Sequence, residues 1–113
     1  MKAIVAIIKP HKLADVTLAL HNLEGLTGMT VTDVRGFGRT RAEGLADVVP
    51  DDVADFVRKT RIDIFCSDSL SETAIDIIQK NAHTGAHGDG KIYTWNTDQA
   101  FRISTGETGE AAV

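Results

Sequence analysis

The sequence is most informative at first for what is scarce in it. One cysteine, Cys66, cannot close an internal disulfide, so a disulfide-stapled secreted scaffold is excluded. With only two prolines and 5% aromatic residues, the chain is neither a proline-rich linker nor an aromatic-rich repeat. Positive charge is not in excess: twelve Lys and Arg face sixteen Asp and Glu, for a net charge of -4. That balance lacks the clustered basic face by which domains grip nucleic acid, and it favours small-molecule and protein partners. The longest apolar run, near the start in MKAIVAIIKPHK, is broken by Lys9 and Pro10 and is too short for a signal peptide or a membrane span. The expected setting is cytoplasmic.

What remains is 113 residues with 42% hydrophobic content, enough for one domain with a real core. Residues Lys2 to Lys9 are rich in Ile and Val and stop at Pro10, which predicts a buried strand. Leu13, Val16, Leu20 and Leu23 share one face of a helix spanning Lys12 to Leu23, with Gly25 to end it. Met29 to Gly38 reads as a strand closing on glycines, and Arg61 to Cys66 as another, with Ile62, Ile64 and Cys66 on one face. Ser69 and Glu72 have the spacing of a capping box, which opens a second helix through Ala82 with Leu70, Ala74, Ile77 and Ile78 on one face. KIYTWN and QAFRIS read as two final short strands.

Between the second and third strands, Arg39 to Arg58 shows no sustained period. It carries Glu43, Asp47, Asp51, Asp52 and Asp55 together with Gly44 and Pro50. So long an irregular segment inside a small domain points to function. The element order is that of two strand-helix-strand halves, a ferredoxin-like α+β sandwich with both helices on one face of an antiparallel sheet. Its second face, still apolar, predicts a homo-oligomer.

Two glycine motifs suggest an anion. In GFGR, Gly36 and Gly38 could let a ligand approach the backbone and Arg39 could fork onto phosphate oxygens; equally, the glycines could simply break the strand. In TGAHGDGK, Gly85, Gly88 and Gly90 could form a nest of N–H donors, joined by Lys91 and by Arg102 further on. The alternative is a helix cap at Gly85 and a plain turn in which Asp89 bonds its own backbone. His83 and His87 are four residues apart, but Gly85 between them argues against the continuous helix a metal pair would need. His11 and His21 read as surface residues, and Cys66 as a buried, inert thiol. No nucleophile-base set or carboxylate pair stands out, so catalysis is not expected.

Taken together, MKAIVAIIKPHKL, LTGMTVTDVRGFGR, TGAHGDGKI and FRISTGETGEAAV resemble, in order and spacing, the PII family of signal-transduction proteins. The resemblance runs end to end as one PII-like domain over 1–113. It implies a homotrimer that binds ATP or ADP in clefts between subunits, and a T-loop, here about 37–59, that engages a protein target such as a transporter or enzyme. It places phosphates near Gly38, Arg39, Gly88, Asp89, Gly90, Lys91 and Arg102. It places adenine and ribose near Ile8, Gly28, Met29, Thr30, Gly36, Asp63 and Phe65.

Departures from the family pattern carry their own expectations. Thr40 stands where the best-known members have the glutamine that helps hold magnesium and 2-oxoglutarate, which weakens the case for both, although the acid-pairing lysine is kept as Lys59. Ala86 and Ser104 replace two cations, so ADP, AMP or a related nucleotide is expected to compete better here against ATP. Asp52 and Pro50 occupy the positions of the uridylylated tyrosine and the phosphorylated serine, excluding both modifications. The runner-up reading is a metal-tolerance or metal-binding module using His83, His87 and the acidic segment.

Overall fold

The computed structural model describes residues 1–37 and 56–113. Strand β1 spans Lys2–Ile8 and ends where Pro10, lacking an N–H, opens a 3-10 turn at Pro10–Lys12. Helix α1 follows at Leu13–His21, then β2 at Thr30–Gly36, β3 at Val57–Cys66, α2 at Asp68–Ala82 and β4 at Gly90–Asn96. The sheet is antiparallel in the order β2-β3-β1-β4, as the ferredoxin-like reading required.

Register assigns the two sheet faces. Ile4 pairs with Ile64 and Ala6 with Ile62, so these side chains share the face beneath the helices. They meet Val16 and Leu20 of α1 and Ala74, Ile78 and Ala82 of α2 in a single core. Cys66 belongs to it, and burial pushes its thiol above the usual value, in keeping with an inert role. On the opposite face, Ala3 lies between Phe65 and Trp95, and Val5 between Asp63 and Tyr93. Phe65, Tyr93 and Trp95 are each about half exposed there.

Four sequence expectations are corrected. β3 starts at Val57 rather than Arg61, so Arg58 and Lys59 belong to a strand and not to the long loop. What extends it is pairing with β2, Val57 to Gly36 and Lys59 to Val34, a long-range fact that local periodicity does not carry. The capping box is not formed: α2 begins two residues earlier than a Ser69 cap requires, Ser67 is the N-cap, and no side chain caps the helix. Its buried positions are Ser71, Ala74, Ile78 and Ala82, with Leu70 and Ile77 only partly covered. QAFRIS is not a strand. The Arg102 N–H bonds the Glu107 carbonyl at 2.8 Å around a turn at Gly106, leaving one isolated bridge, Phe101 to Thr108.

Ile64 stands at the centre of the core at 1% exposure. Ile64→Ala should lower unfolding free energy by about 2–5 kcal/mol, read as a reduced urea midpoint at fixed protein concentration.

Candidate functional site

The loop after α2 is shaped by one carboxylate. Asp89 Oδ2 accepts from the Thr84 N–H at 2.8 Å and the Gly85 N–H at 3.2 Å, while Oδ1 accepts from the Thr84 hydroxyl. Lys9 Nζ reaches Asp89 Oδ1 at 3.1 Å, and His83 Nδ1 lies 3.3 Å from Oδ2. The Thr84 hydroxyl first, then its N–H, hold the Asp89 carboxyl far below the usual carboxylate range, with Lys9 and Gly85 adding to the effect. Asp89 therefore ties down its own turn, as one of the two readings of this loop expected, although α2 is capped at His83 rather than at Gly85.

Gly90 is required by a close approach. A Cβ there would sit 1.7 Å from the Ile7 carbonyl oxygen, at a φ of +106° that side chains rarely adopt, because Gly90 pairs with Ile8 on β1. Gly88 also has a positive φ, and two lysines converge on it. A Cβ at Gly88 would lie 3.2 Å from Lys59 Nζ and 3.7 Å from Lys9 Cε. The Lys59 ammonium donates to the Gly88 carbonyl. Burial, and then the charge of Lys9, push the Lys59 ammonium below its usual value, and Asp89 partly offsets them. Meanwhile the N–H groups of His87 and Gly88 find no acceptor among the described residues. Free amide donors beside two cations are what an anion needs. Lys91 follows on β4, in register with Ile7 and exposed.

A second group of predicted residues gathers elsewhere. Gly28, Met29, Thr30, Asp63, Phe65 and Arg102 line a pocket of about 400 Å³, bordered also by Val113. Thr30 pairs with Asp63, and Arg61 grips both Asp63 oxygens at 2.9 Å. Arg102 is only loosely held, with Nε 3.8 Å from a Glu107 oxygen. At Gly28 and Gly36 nothing among the described residues comes within 4 Å of where a Cβ would stand, so packing within the chain does not demand glycine there.

The two groups do not meet within one chain. Ile8 and Gly90 belong to the helix-covered face, whereas Thr30, Asp63 and Phe65 stand on the open one, as Lys59 and Lys91 do by register, so the separation runs along the sheet rather than through it. Along β3 the partner of Ile8, Thr60, lies three residues from Asp63, roughly 10 Å at strand rise. Gly36 ends the edge strand β2 apart from both groups. Gly38, Arg39, Thr40 and the acidic residues of the long loop lie outside the described residues. A groove of about 420 Å³ between α2 and β4 is lined by Ile75, Ile78 and Ile92 and also by the predicted site residues Ile8, Asp89, Gly90 and Lys91.

Sequence reasoning missed Lys9, read only as a strand breaker. Nothing in its neighbourhood signals that it reaches residues 84 and 89. The metal alternative loses its footing: among the described residues no group of three His, Cys, Asp or Glu could hold an ion, and His83 faces Asp89 instead. The described helices include none long and apolar enough to cross a membrane.

Known proteins were compared against this geometry. The family model described as nitrogen regulatory protein P-II matches residues 1–107. Nitrogen regulatory protein P-II of Azospirillum brasilense is 46% identical over 113 residues, covering all of both chains. Nitrogen regulatory protein P-II 1 of Escherichia coli K12 is 44% identical over the same full length. Among solved structures, Arabidopsis thaliana PII bound to citrate matches with a TM-score of 0.80 and 34% identity, over 99% of this chain and 91% of that one.

Because Asp89 titrates far lower in the folded state than unfolded, its contribution to stability is present above the ordinary carboxylate pKa of 3.8 and is lost as pH falls below it. Asp89→Asn should remove that part of the acid dependence, seen as a flatter low-pH limb in thermal melts across pH, and should increase hydrogen exchange at Thr84 and Gly85.

Proposed function

Because the chain belongs to the nitrogen regulatory protein P-II family, we propose that it signals by binding an adenine nucleotide between subunits of a homotrimer and presenting the result to a protein target through its T-loop. It is a PII-like signal-transduction regulator, and this reading gives it no catalytic step. The observation that carries the nucleotide site is the split: one group of residues offers free amides and cations at the Ile8 and Gly90 end of the sheet, the other a pocket for a base further along β3. A neighbouring subunit can supply the group that one chain cannot.

In this reading the phosphates lie against Gly88 and Gly90 with Lys91, Gly38 and Arg39, while Arg102 reaches over from the adjacent subunit. Adenine and ribose take the pocket of Gly28, Met29, Thr30, Asp63 and Phe65, with Ile8 and Gly36 completing the cleft. The open sheet face, where Phe65, Tyr93 and Trp95 are half exposed, is the surface that trimer formation covers. Signal output follows from position. Gly36 and Phe37 close β2 at one root of the T-loop, and Phe56 opens the other, the two rings lying 5.5 Å apart. A nucleotide lying against Gly36 at one root, and against Gly88, which Lys59 of β3 contacts, near the other, therefore bears on both. The Arabidopsis relative is bound to citrate, and a small polyanion suits the lysine-rich side of this cleft.

With Ala86 and Ser104 in place of two cations, ADP should bind at least as tightly as ATP with magnesium, as read by calorimetry. Arg102→Gln should weaken ADP by roughly ten- to a hundredfold, the value of a charge-assisted hydrogen bond, while the trimer persists in sedimentation. Trp95→Glu should give monomers that bind no nucleotide. Wild-type protein giving no heat with ATP, ADP or AMP, or monomers binding as well as trimers, would sink this reading.

A further inference from the structure

Lys59 and Lys9 approach the same glycine but are held differently. Lys9 has the Asp89 carboxylate at 3.1 Å and the Thr84 hydroxyl at 3.0 Å. Lys59 has only the Gly88 carbonyl, a neutral acceptor, and among the described residues no carboxylate touches it. It is also the less exposed kind of lysine, half-buried at the edge of the core beside the fully buried Thr60. An amine in that setting, desolvated and next to a second cation, is more nucleophilic than a lysine on an open surface.

We propose that Lys59 is a modification site for small acyl phosphates, with Lys9 and the His87 and Gly88 amides holding the phosphate while the Lys59 amine takes the acyl group. Burial, and then Lys9, lower the affinity of Lys59 for its proton, which raises the fraction of neutral amine that can attack. Its nitrogen attacks the acyl carbon and an amide C–N bond forms. The acyl C–O bond to phosphorus breaks, inorganic phosphate leaves, and the proton released from nitrogen is taken up by that phosphate or by solvent. The product loses a cation that Lys9 repels and that sits at the root of β3 where the T-loop begins. Acylation would thus change the charge beside the loop without touching Asp89. For its phosphate-holding half, the inference rests on the anion role assigned to the glycine loop under the proposed function.

The test treats the trimeric protein with acetyl phosphate and, in parallel, with an acetyl succinimidyl ester, which carries no phosphate, and maps the labelled lysines by peptide mass spectrometry over a range of pH. With acetyl phosphate, Lys59 should label about tenfold faster than Lys80 on the exposed face of α2, the low end of anion concentration by a cationic cleft. Its rate should rise at lower pH than that of Lys80. Inorganic phosphate should slow the acetyl phosphate reaction at Lys59 and leave the ester reaction unchanged, and Lys9→Gln should slow acetyl phosphate labelling most. Equal rates at Lys59 and Lys80, or preference with the ester alone, would overturn the proposal. ADP calorimetry on the unlabelled protein is independent of this outcome: no ADP binding together with selective Lys59 labelling would remove the nucleotide reading and leave this one standing.

Discussion

A carboxylate surrounded by donors from several residues cannot shift without breaking many contacts at once, and Asp89 holds that position between the end of α2 and the start of β4. Through Thr84 and Gly85 it fixes where the helix stops. Through Lys9 it joins that point to the end of β1, which lies next to β4 in the sheet. The neighbouring Gly90 then brings the backbone against the Ile7 carbonyl, closer than any side chain would allow. What this leaves over is useful: the amides of His87 and Gly88, one step before the carboxylate, are not consumed by the loop's own bonding.

The separation of the site into two halves gives assembly a role beyond stability. In the proposed reading, the pocket at Thr30, Asp63 and Phe65 and the glycine loop beside Gly90, set apart along the sheet, are each incomplete. The aromatic side chains that face solvent in one chain lie beside the base pocket, Phe65 being part of both. In the proposed trimer, burying that face and completing the cleft are one event, and an exposed apolar patch on a small domain is what such an interface uses.

Much of the fold was legible because its signals are local. The alternation of Ile62, Ile64 and Cys66 and the three- and four-residue spacing of Leu13, Val16 and Leu20 each report a face, and the core contains nearly all of them. Where the sequence misled, the deciding contact lay far along the chain. Lys59 reads as loop until Val34 pairs with it. Ser69 and Glu72 have capping spacing, yet α2 starts at Asp68 with Ser67 as its N-cap, and Ser69 faces the Ser67 hydroxyl at 3.0 Å. The alternation in QAFRIS has no partner strand to pair with, so it closes on itself through Glu107. In the site, Gly88 and Gly90 were legible since both answer to backbone geometry, whereas Lys9 was not, because its partners are fixed by the turn rather than by spacing.

The contact between Phe37 and Phe56, with Gly36 paired to Val57 just inside it, has an implication for how such proteins diversify. The ends of the intervening segment are pinned at strand-pair distance by the sheet itself, so closing a longer or differently composed insert adds little, about 0.6 kcal/mol per doubling of length. The domain is thereby a socket. Sequence drift between the two rings, such as the acidic, proline-containing stretch found here, can change what the segment presents while the core beneath it goes on folding unchanged.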